Sequence, residues 1–305
     1  MARPNPNDVK RIACVGAGTI GGGWAAYFLA RGMEVVATDP LPDGEARLRR
    51  IVDAALPRLA SLGLATAGAG DRLSFTADLE SAVTEADFIQ ESAPDDEELK
   101  MELFRLIDAV ARAEVVIASS SSQFLPTRIA GRCRRPERCI VGHPFAPSYL
   151  MPLVEVVGGQ RTEAAVLDWA MAFYESIGKA PLRLKKEIES YIANRIQRVV
   201  GEEMHRLVEA GICDYGDVDK AVTHGPGLRW AFAGPLLCSN MAGGVGGIRG
   251  YIDHFGWRGP DGLEPVAVQA VDDISGHLTM DEIESWRDDN LLTILKQLKP
   301  LPAKE

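Results

Sequence analysis

The feature that most constrains this chain is a glycine-rich turn close to its N-terminus. A short β-rich run, Arg11–Val15, leads directly into the sequence GAGTIG at positions 16–21, and a helical pattern follows as far as position 31. A GxGxxG turn between a strand and a helix leaves free N–H groups at the helix N-terminus, where a pyrophosphate can bind. A glycine turn with no ligand is the alternative interpretation, but the strand and helix around it favour a dinucleotide site built from Gly16, Gly18, Thr19, Ile20 and Gly21.

Short runs rich in Val and Ile alternate with helical patterns over the first 185 residues or so. The runs lie at 11–15, 34–38, 88–91, 115–119, 139–143, 152–157 and 181–184, and the helical patterns at 20–31, 44–62, 96–113, 125–131 and 163–177. Strands that alternate with helices indicate right-handed βαβ units and a mostly parallel sheet covered on both faces. The fold class predicted is therefore α/β, with an N-terminal Rossmann-like doubly wound sheet.

The character of the sequence changes near residue 186. One long helical pattern covers 187–210, and after it Gly and Pro separate shorter helical patterns without any further β-rich run. The sequence therefore predicts two domains. Residues 1–186 form a dinucleotide-binding domain, and residues 187–305 form an all-helical domain.

Asp39 follows the second predicted strand at about the distance expected for the acid that binds the adenosine ribose. Its carboxylate would repel a 2′-phosphate, and residues 40–44 contain no arginine to receive one. The sequence therefore predicts NAD as the cofactor, in preference to NADP.

His143 ends one predicted strand and Glu155 lies in the next, after a proline-rich turn. A strand–turn–strand connection can place the carboxylate beside the imidazole, which suits a histidine that takes the proton of an alcohol while hydride leaves its carbon. Taken alone, a histidine at a strand end is more often structural. The serines at 119–122 end another strand, at the edge of the sheet where ligands bind, although a polar loop or helix cap is the simpler interpretation.

Composition limits the classes of partner and compartment. A net charge of −10 argues against a nucleic-acid partner, and no run of about 18 apolar residues suggests a membrane-spanning helix. Five cysteines without CxxC spacing fit neither a disulfide framework nor a metal site, and the polar N-terminus shows no secretory signal. A cytoplasmic protein with reduced thiols and no bound metal is expected.

These residues resemble the 3-hydroxyacyl-CoA dehydrogenase family, and in particular its short branch of L-gulonate 3-dehydrogenase (lambda-crystallin) and L-carnitine dehydrogenase. The resemblance covers nearly the whole chain to about residue 256 and returns at 284–290. It rests on GAGTIGGGW (16–24), QESAP (90–94), ASSSS (118–122), GHPFAP (142–147), PLVEV (152–156), NR (194–195) and GLRW (227–230).

The resemblance implies a role for each matching residue. His143 corresponds to the catalytic histidine and Glu155 to its carboxylate partner, while Ser122 and Asn194 correspond to residues that bind the substrate oxygen. Contacts with the cofactor are implied for Asp39, Lys100 and Asp95, the last of which stands where the family commonly has Glu. Ala146 replaces an asparagine that approaches the nicotinamide in the family, and the helical domain would hold the substrate and form a homodimer.

The function expected is that of an NAD-dependent oxidoreductase that interconverts a small 3-hydroxy acid, or a similar secondary alcohol, and its 3-keto form. Two alternatives stay open. One is a 3-hydroxyacyl-CoA dehydrogenase or a ketoreductase that acts on a thioester or polyketide intermediate. The other is a crystallin-like structural protein, which an intact pair of His143 and Glu155 disfavours.

Overall fold

Eight strands form one sheet in the computed structural model, which describes residues 3–276 and 278–298. The strands are β1 (Arg11–Val15), β2 (Glu34–Thr38), β3 (Leu73–Thr76), β4 (Phe88–Glu91), β5 (Val116–Ser119), β6 (Cys139–Pro144), β7 (Leu153–Gly158) and β8 (Ala180–Arg183). The helices that precede residue 193 are α1 (Thr19–Ala30), α2 (Gly44–Ser61), α3 (Leu79–Val83), α4 (Glu97–Val110), α5 (Pro126–Ile129) and α6 (Ala164–Ser176).

The order of strands across the sheet is β3-β2-β1-β4-β5-β6-β7-β8. Strands β1 to β6 are parallel, β7 is antiparallel to β6, and β8 is parallel to β7. The chain moves outward from β1 to β3 and then returns to place β4 on the other side of β1. Ligands of such sheets bind at this reversal, beyond the carboxyl ends of the strands. The predicted doubly wound architecture is confirmed.

The sheet is buried on both faces because side chains of successive strand residues point to opposite sides. In β1, Ile12 and Cys14 join the core that α1, α2 and α6 cover. Ala13 and Val15 join a second core on the opposite face, to which Phe104 of α4 also belongs. This double coverage explains why the predicted strands are continuous apolar runs.

The sequence did not predict two elements of the structure, β3 and the short helix α3, and it placed the start of one helix too early. The strand β3 was missed because it is a short edge strand with only Leu73 buried, so its sequence LSFT lacks an apolar run. The helix predicted to begin at 187 begins at 193, because Ser190 and Tyr191 adopt left-handed conformations with φ of 62° and 49°. Tyr191 is fully buried, and its hydroxyl donates a hydrogen bond to the Phe124 carbonyl (2.6 Å).

The chain divides into two compact units, residues 1–198 and 199–305. Helix α7 (Ala193–Glu209) begins in the first unit. The second contains α8 (Tyr215–His224), α9 (Pro226–Trp230), α10 (Pro235–Ala242), α11 (Gly247–Phe255), α12 (Glu264–Ser275) and α13 (Met280–Gln297). Capping boxes at Asp214 and Thr279 begin two of these helices. Within the described ranges, no helix has the length and apolar character needed to cross a membrane.

Candidate active site

A cavity of about 1070 Å³ lies at the carboxyl ends of the central strands, and every residue that lines it falls between positions 15 and 197. The structure brings most of the predicted site residues onto its wall: Gly16, Gly18, Thr19, Ile20, Asp39, Asp95, Ser122, His143 and Asn194. Gly21, Lys100 and Glu155 are buried behind that wall.

A side chain at each glycine of the first turn would have a different physical effect. Gly16 has a φ of +100°, and a Cβ there would lie 2.7 Å from the Ser92 backbone. A Cβ on Gly21 would lie 1.9 Å from the Gly16 carbonyl oxygen, so α1 can approach β1 only with glycine at this position. A Cβ on Gly18 would meet nothing within 4 Å, and this residue caps α1 without a side-chain hydrogen bond. The space beside Gly18 and the free amides of α1 fit a pyrophosphate.

The two glycines should therefore respond differently to alanine. Gly21→Ala forces backbone atoms apart and should lower the free energy of unfolding by about 1–3 kcal/mol. Gly18→Ala should leave the melting temperature unchanged but weaken NADH binding at least about tenfold, equivalent to about 1.4 kcal/mol. Thermal unfolding and fluorescence titration with NADH measure both effects. Unchanged NADH affinity in Gly18→Ala would place the pyrophosphate elsewhere.

Asp39 accepts hydrogen bonds from the Ala17 amide (2.8 Å) and the Leu41 amide (3.0 Å). It also pairs with Arg47, whose Nη2 lies 3.1 Å from Oδ2. The prediction of NAD rested on residues 40–44 and left out this arginine, which lies in the first turn of α2. The predicted helix start at 44 was the available signal, because it places position 47 one turn into the helix and near the end of β2.

The loop after β4 is held by a buried ion pair that the sequence argument missed. Lys100 donates to Glu91 Oε1 (2.8 Å) and to the Ala93 carbonyl (3.0 Å), and Glu91 also accepts from the Ala93 amide (2.6 Å). Lys100 also lies 3.5 Å from Asp95, which is on the cavity wall. Lys100 therefore shapes the wall from behind in this structure. The sequence signal was Glu91 itself, because a glutamate at the end of a buried strand needs a cationic partner.

Each of the four serines at the end of β5 and directly after it has its own partner. Ser119 donates to Glu91, Ser120 accepts from Gln90 (2.8 Å), and Ser121 accepts from the backbone amide of Phe124 (3.2 Å). Ser122 donates to Asp95 Oδ2 from its hydroxyl (2.6 Å), and the Asn194 side chain donates to the Ser122 carbonyl (3.3 Å). Ser121 thus holds the polar loop that precedes α5 and does not cap this helix, whose N-cap is Leu125. Ser122 and Asn194 meet on the cavity wall.

Asp95 stays ionised in this setting. Burial opposes ionisation, but the hydrogen bonds from Ser122 and the charge of Lys100 outweigh it and lower the pKa of Asp95. The Ser122 hydroxyl donates to this carboxylate here. To bind a substrate oxygen whose proton goes to His143, Ser122 would turn its single O–H toward that oxygen and donate to it.

His143 and Glu155 are direct partners in the antiparallel register of β6 and β7. His143 Nδ1 lies 2.9 Å from Glu155 Oε2. The other carboxylate oxygen accepts from the backbone amides of Ile192 (2.8 Å) and Ala193 (3.1 Å), where α7 begins. With Nδ1 bonded to the carboxylate, Nε2 is the ring nitrogen left to exchange a proton with substrate.

Glu155 is fully buried yet ionised. Burial disfavours its charged form, but the hydrogen bonds from His143, Ala193 and Ile192 more than compensate, so the pKa of Glu155 falls below its usual value. A carboxylate held in this way fixes the Nδ1–H tautomer and stabilises an imidazolium.

Replacing Glu155 with glutamine should reverse the tautomer of His143. The two helix amides can only donate, so they should hold the amide oxygen, and the new NH₂ group should then donate to Nδ1. Nε2 would carry the proton and could not accept one from substrate. Turnover should fall by about 10²-fold or more, and the ¹⁵N shifts of His143 should exchange between its two nitrogens.

Glu189→Gln is the matched control, because it removes the same charge from an exposed position and should leave turnover unchanged. Glu155→Gln with normal turnover and an unchanged tautomer would contradict the proton path through Nε2.

Lys179 anchors the turn that separates His143 from Glu155, another contact that the sequence argument missed. Its ammonium donates to the carbonyls of Ser148 (2.6 Å) and Met151 (2.9 Å), and burial lowers the pKa of Lys179 to about 7. This turn carries Phe145 and Ala146 onto the cavity wall. Ala146 therefore lines the cavity, so a methyl group stands there where the family resemblance would place an asparagine side chain.

Comparison with known proteins shows the family of this chain. Residues 11–188 match the NAD-binding domain of 3-hydroxyacyl-CoA dehydrogenase, and residues 191–276 match the C-terminal domain of the same family. The chain belongs to the 3-hydroxyacyl-CoA dehydrogenase family.

Several members of this family are close relatives. The chain is 51% identical to an L-carnitine dehydrogenase of Streptomyces coelicolor, over 83% of this chain and 79% of the relative. It is 43% identical to an L-carnitine dehydrogenase of Nocardiopsis dassonvillei, over 100% of this chain and 96% of the relative. A solved NAD⁺-dependent 5-formyl-3-hydroxy-2-methylpyridine 4-carboxylic acid 5-dehydrogenase matches with a TM-score of 0.74 and 28% identity, over 94% and 97% of the two chains.

The protein is thus an NAD-dependent oxidoreductase that acts on a CH–OH group, as the sequence predicted. The residues at the nucleotide end fit that cofactor: open space beside Gly18, uncapped amides of α1, and a carboxylate at Asp39. When bound, NAD supplies the hydride acceptor. His143, paired with Glu155, lines the same cavity as these residues.

Proposed function

We propose that the substrate is a small free 3-hydroxy acid, and that L-carnitine, or an acid of its size, is preferred over a CoA thioester. The observation that carries this proposal is that His143, paired with Glu155 behind the cavity wall, lines that wall together with Ser122 and Asn194. The relatives named L-carnitine dehydrogenase, which are 39–51% identical to this chain, support a substrate of the size of L-carnitine.

In this proposal each side chain has one role. His143 Nε2 takes the proton of the substrate hydroxyl, or returns it to the ketone, and Glu155 stabilises the imidazolium that forms. Ser122 and Asn194 bind the reacting oxygen. The turn at 16–21 and Asp39 hold the cofactor, and Asp95, supported by Lys100, shapes the wall next to Ser122.

The wall beside His143 also suits a cationic substrate. The Phe145 ring lies 6.0 Å from the His143 ring, centroid to centroid, and both rings line the cavity together with the ionised Asp95. A quaternary ammonium group binds favourably against an aromatic face. The Phe145 ring therefore supports a compound such as L-carnitine.

Three of the four arginines of α2 are engaged within the protein, and the fourth, Arg50, is exposed. Arg47 pairs with Asp39, Arg49 pairs with Glu45, and Arg58 donates to the Ala54 carbonyl. The segment that follows, residues 65–70, contains only alanine, glycine and threonine. Because phosphates need several cationic groups on one face, this region supports a free acid.

A substrate panel followed by NADH absorbance tests the proposal. We expect L-carnitine, or another small 3-hydroxy acid, to exceed 3-hydroxybutyryl-CoA in kcat/KM by at least about tenfold, equivalent to about 1.4 kcal/mol. D-carnitine serves as the matched stereochemical control. A tenfold preference for the CoA thioester would contradict the proposal and support the thioester alternative.

We also propose that residues 1–186 act as the NAD-binding domain and residues 187–305 as a helical substrate and dimerisation domain. Large apolar side chains exposed in the helical part support a homodimer, among them Ile212, Val245, Val266, Ile274, Leu292 and Leu295. A cytoplasmic location is supported by the five cysteines, all of which are free thiols.

A further inference from the structure

The contact between Arg47 and Asp39 has a consequence for cofactor choice. Both residues line the cavity, and the guanidinium Nη2 lies 3.1 Å from the carboxylate. We propose that Arg47 is a specificity-determining residue. Paired with Asp39 it supports NAD, and without that carboxylate it is positioned to receive the 2′-phosphate of NADP. This inference rests on the proposed placement of the adenosine ribose at Asp39.

Arg47 has an anchor that does not depend on Asp39. Its Nε donates to the Ala17 carbonyl (3.2 Å), within the glycine turn, and its side chain is only 26% exposed. Removal of the carboxylate therefore leaves the guanidinium beside the cavity. Since guanidinium donates to phosphate with two parallel N–H groups, it is well suited to a ribose phosphate at this point.

The start of α2 adds a second attraction for an anion. A Cβ on Gly44 would lie 2.8 Å from Asp39 Cβ, so the first turn of this 18-residue helix directly abuts the carboxylate. Its N-cap residue, Asp43, makes no side-chain hydrogen bond to the amides. The positive end of the helix and Arg47 both favour an anion at this place.

The neighbouring charges leave Asp39 as the group that opposes a phosphate. Glu45 of the same turn is engaged with Arg49 at 2.8 Å, and the other acid nearby, Asp43, is exposed. Asp39 pairs with Arg47 and is the buried one of these acids, so its repulsion of a 2′-phosphate is the least screened by solvent. In NAD-specific sites an acid binds the ribose hydroxyls, and in NADP sites a nearby arginine binds the phosphate. This chain contains both the acid, Asp39, and the arginine, Arg47, and the acid determines the preference for NAD.

The test compares Asp39→Ser, Asp39→Ser/Arg47→Leu and Asp39→Ser/Arg50→Leu. Arg50 is exposed on the same helix, so its replacement matches the change in charge. Dissociation constants for NADH and NADPH from fluorescence titration are the main readout, with kcat/KM as the second. We expect Asp39→Ser to shift the NADPH:NADH affinity ratio at least about 100-fold toward NADPH.

Adding Arg47→Leu should then weaken NADPH binding at least tenfold and change NADH binding less than threefold, while adding Arg50→Leu should alter neither by more than threefold. NADPH binding that survives Arg47→Leu, or that weakens equally with Arg50→Leu, overturns the role of Arg47. An unchanged affinity ratio in Asp39→Ser overturns the placement of the ribose instead. Asp39→Asn, which keeps an acceptor for the Ala17 amide, replaces Asp39→Ser if that variant does not fold.

Discussion

The carboxylate of Glu155 lies where three segments of the chain meet. One oxygen contacts His143 of the neighbouring strand, and the other accepts the amides of Ile192 and Ala193. A charge buried to this degree is tolerated only when all its partners are in place. The same hydrogen bonds therefore set the tautomer of His143 and the start of α7, which in turn places Asn194 at the cavity.

Two other carboxylates at the same edge of the sheet also accept hydrogen bonds from backbone amides of the loops. Asp39 accepts the amides of Ala17 and Leu41 just after β2, and Glu91 accepts the amide of Ala93 at the end of β4. Each is also paired with a cation, Arg47 or Lys100. Buried acids at strand ends thus fix the loops that form the cavity wall, while the apolar strands position the acids themselves.

The residues that could be predicted from sequence are those with local patterns. The glycine turn was recognisable because its spacing follows a strand, and the pairing of His143 with Glu155 because a short connection joins two adjacent strands. Arg47, Glu91 and Lys179 were missed because their roles arise from tertiary contacts. The apolar residues at 188, 191 and 192 continue a helical pattern, but Ser190 and Tyr191 adopt left-handed conformations, so α7 begins only at residue 193.

The central claim is that His143, oriented by Glu155, transfers the substrate proton. The most direct measurement is the turnover of His143→Ala together with its dissociation constant for NADH. The account predicts a loss of about 10²–10⁴-fold in kcat with NADH affinity and melting temperature nearly unchanged. Turnover close to that of the wild type, with the fold intact, would contradict the account.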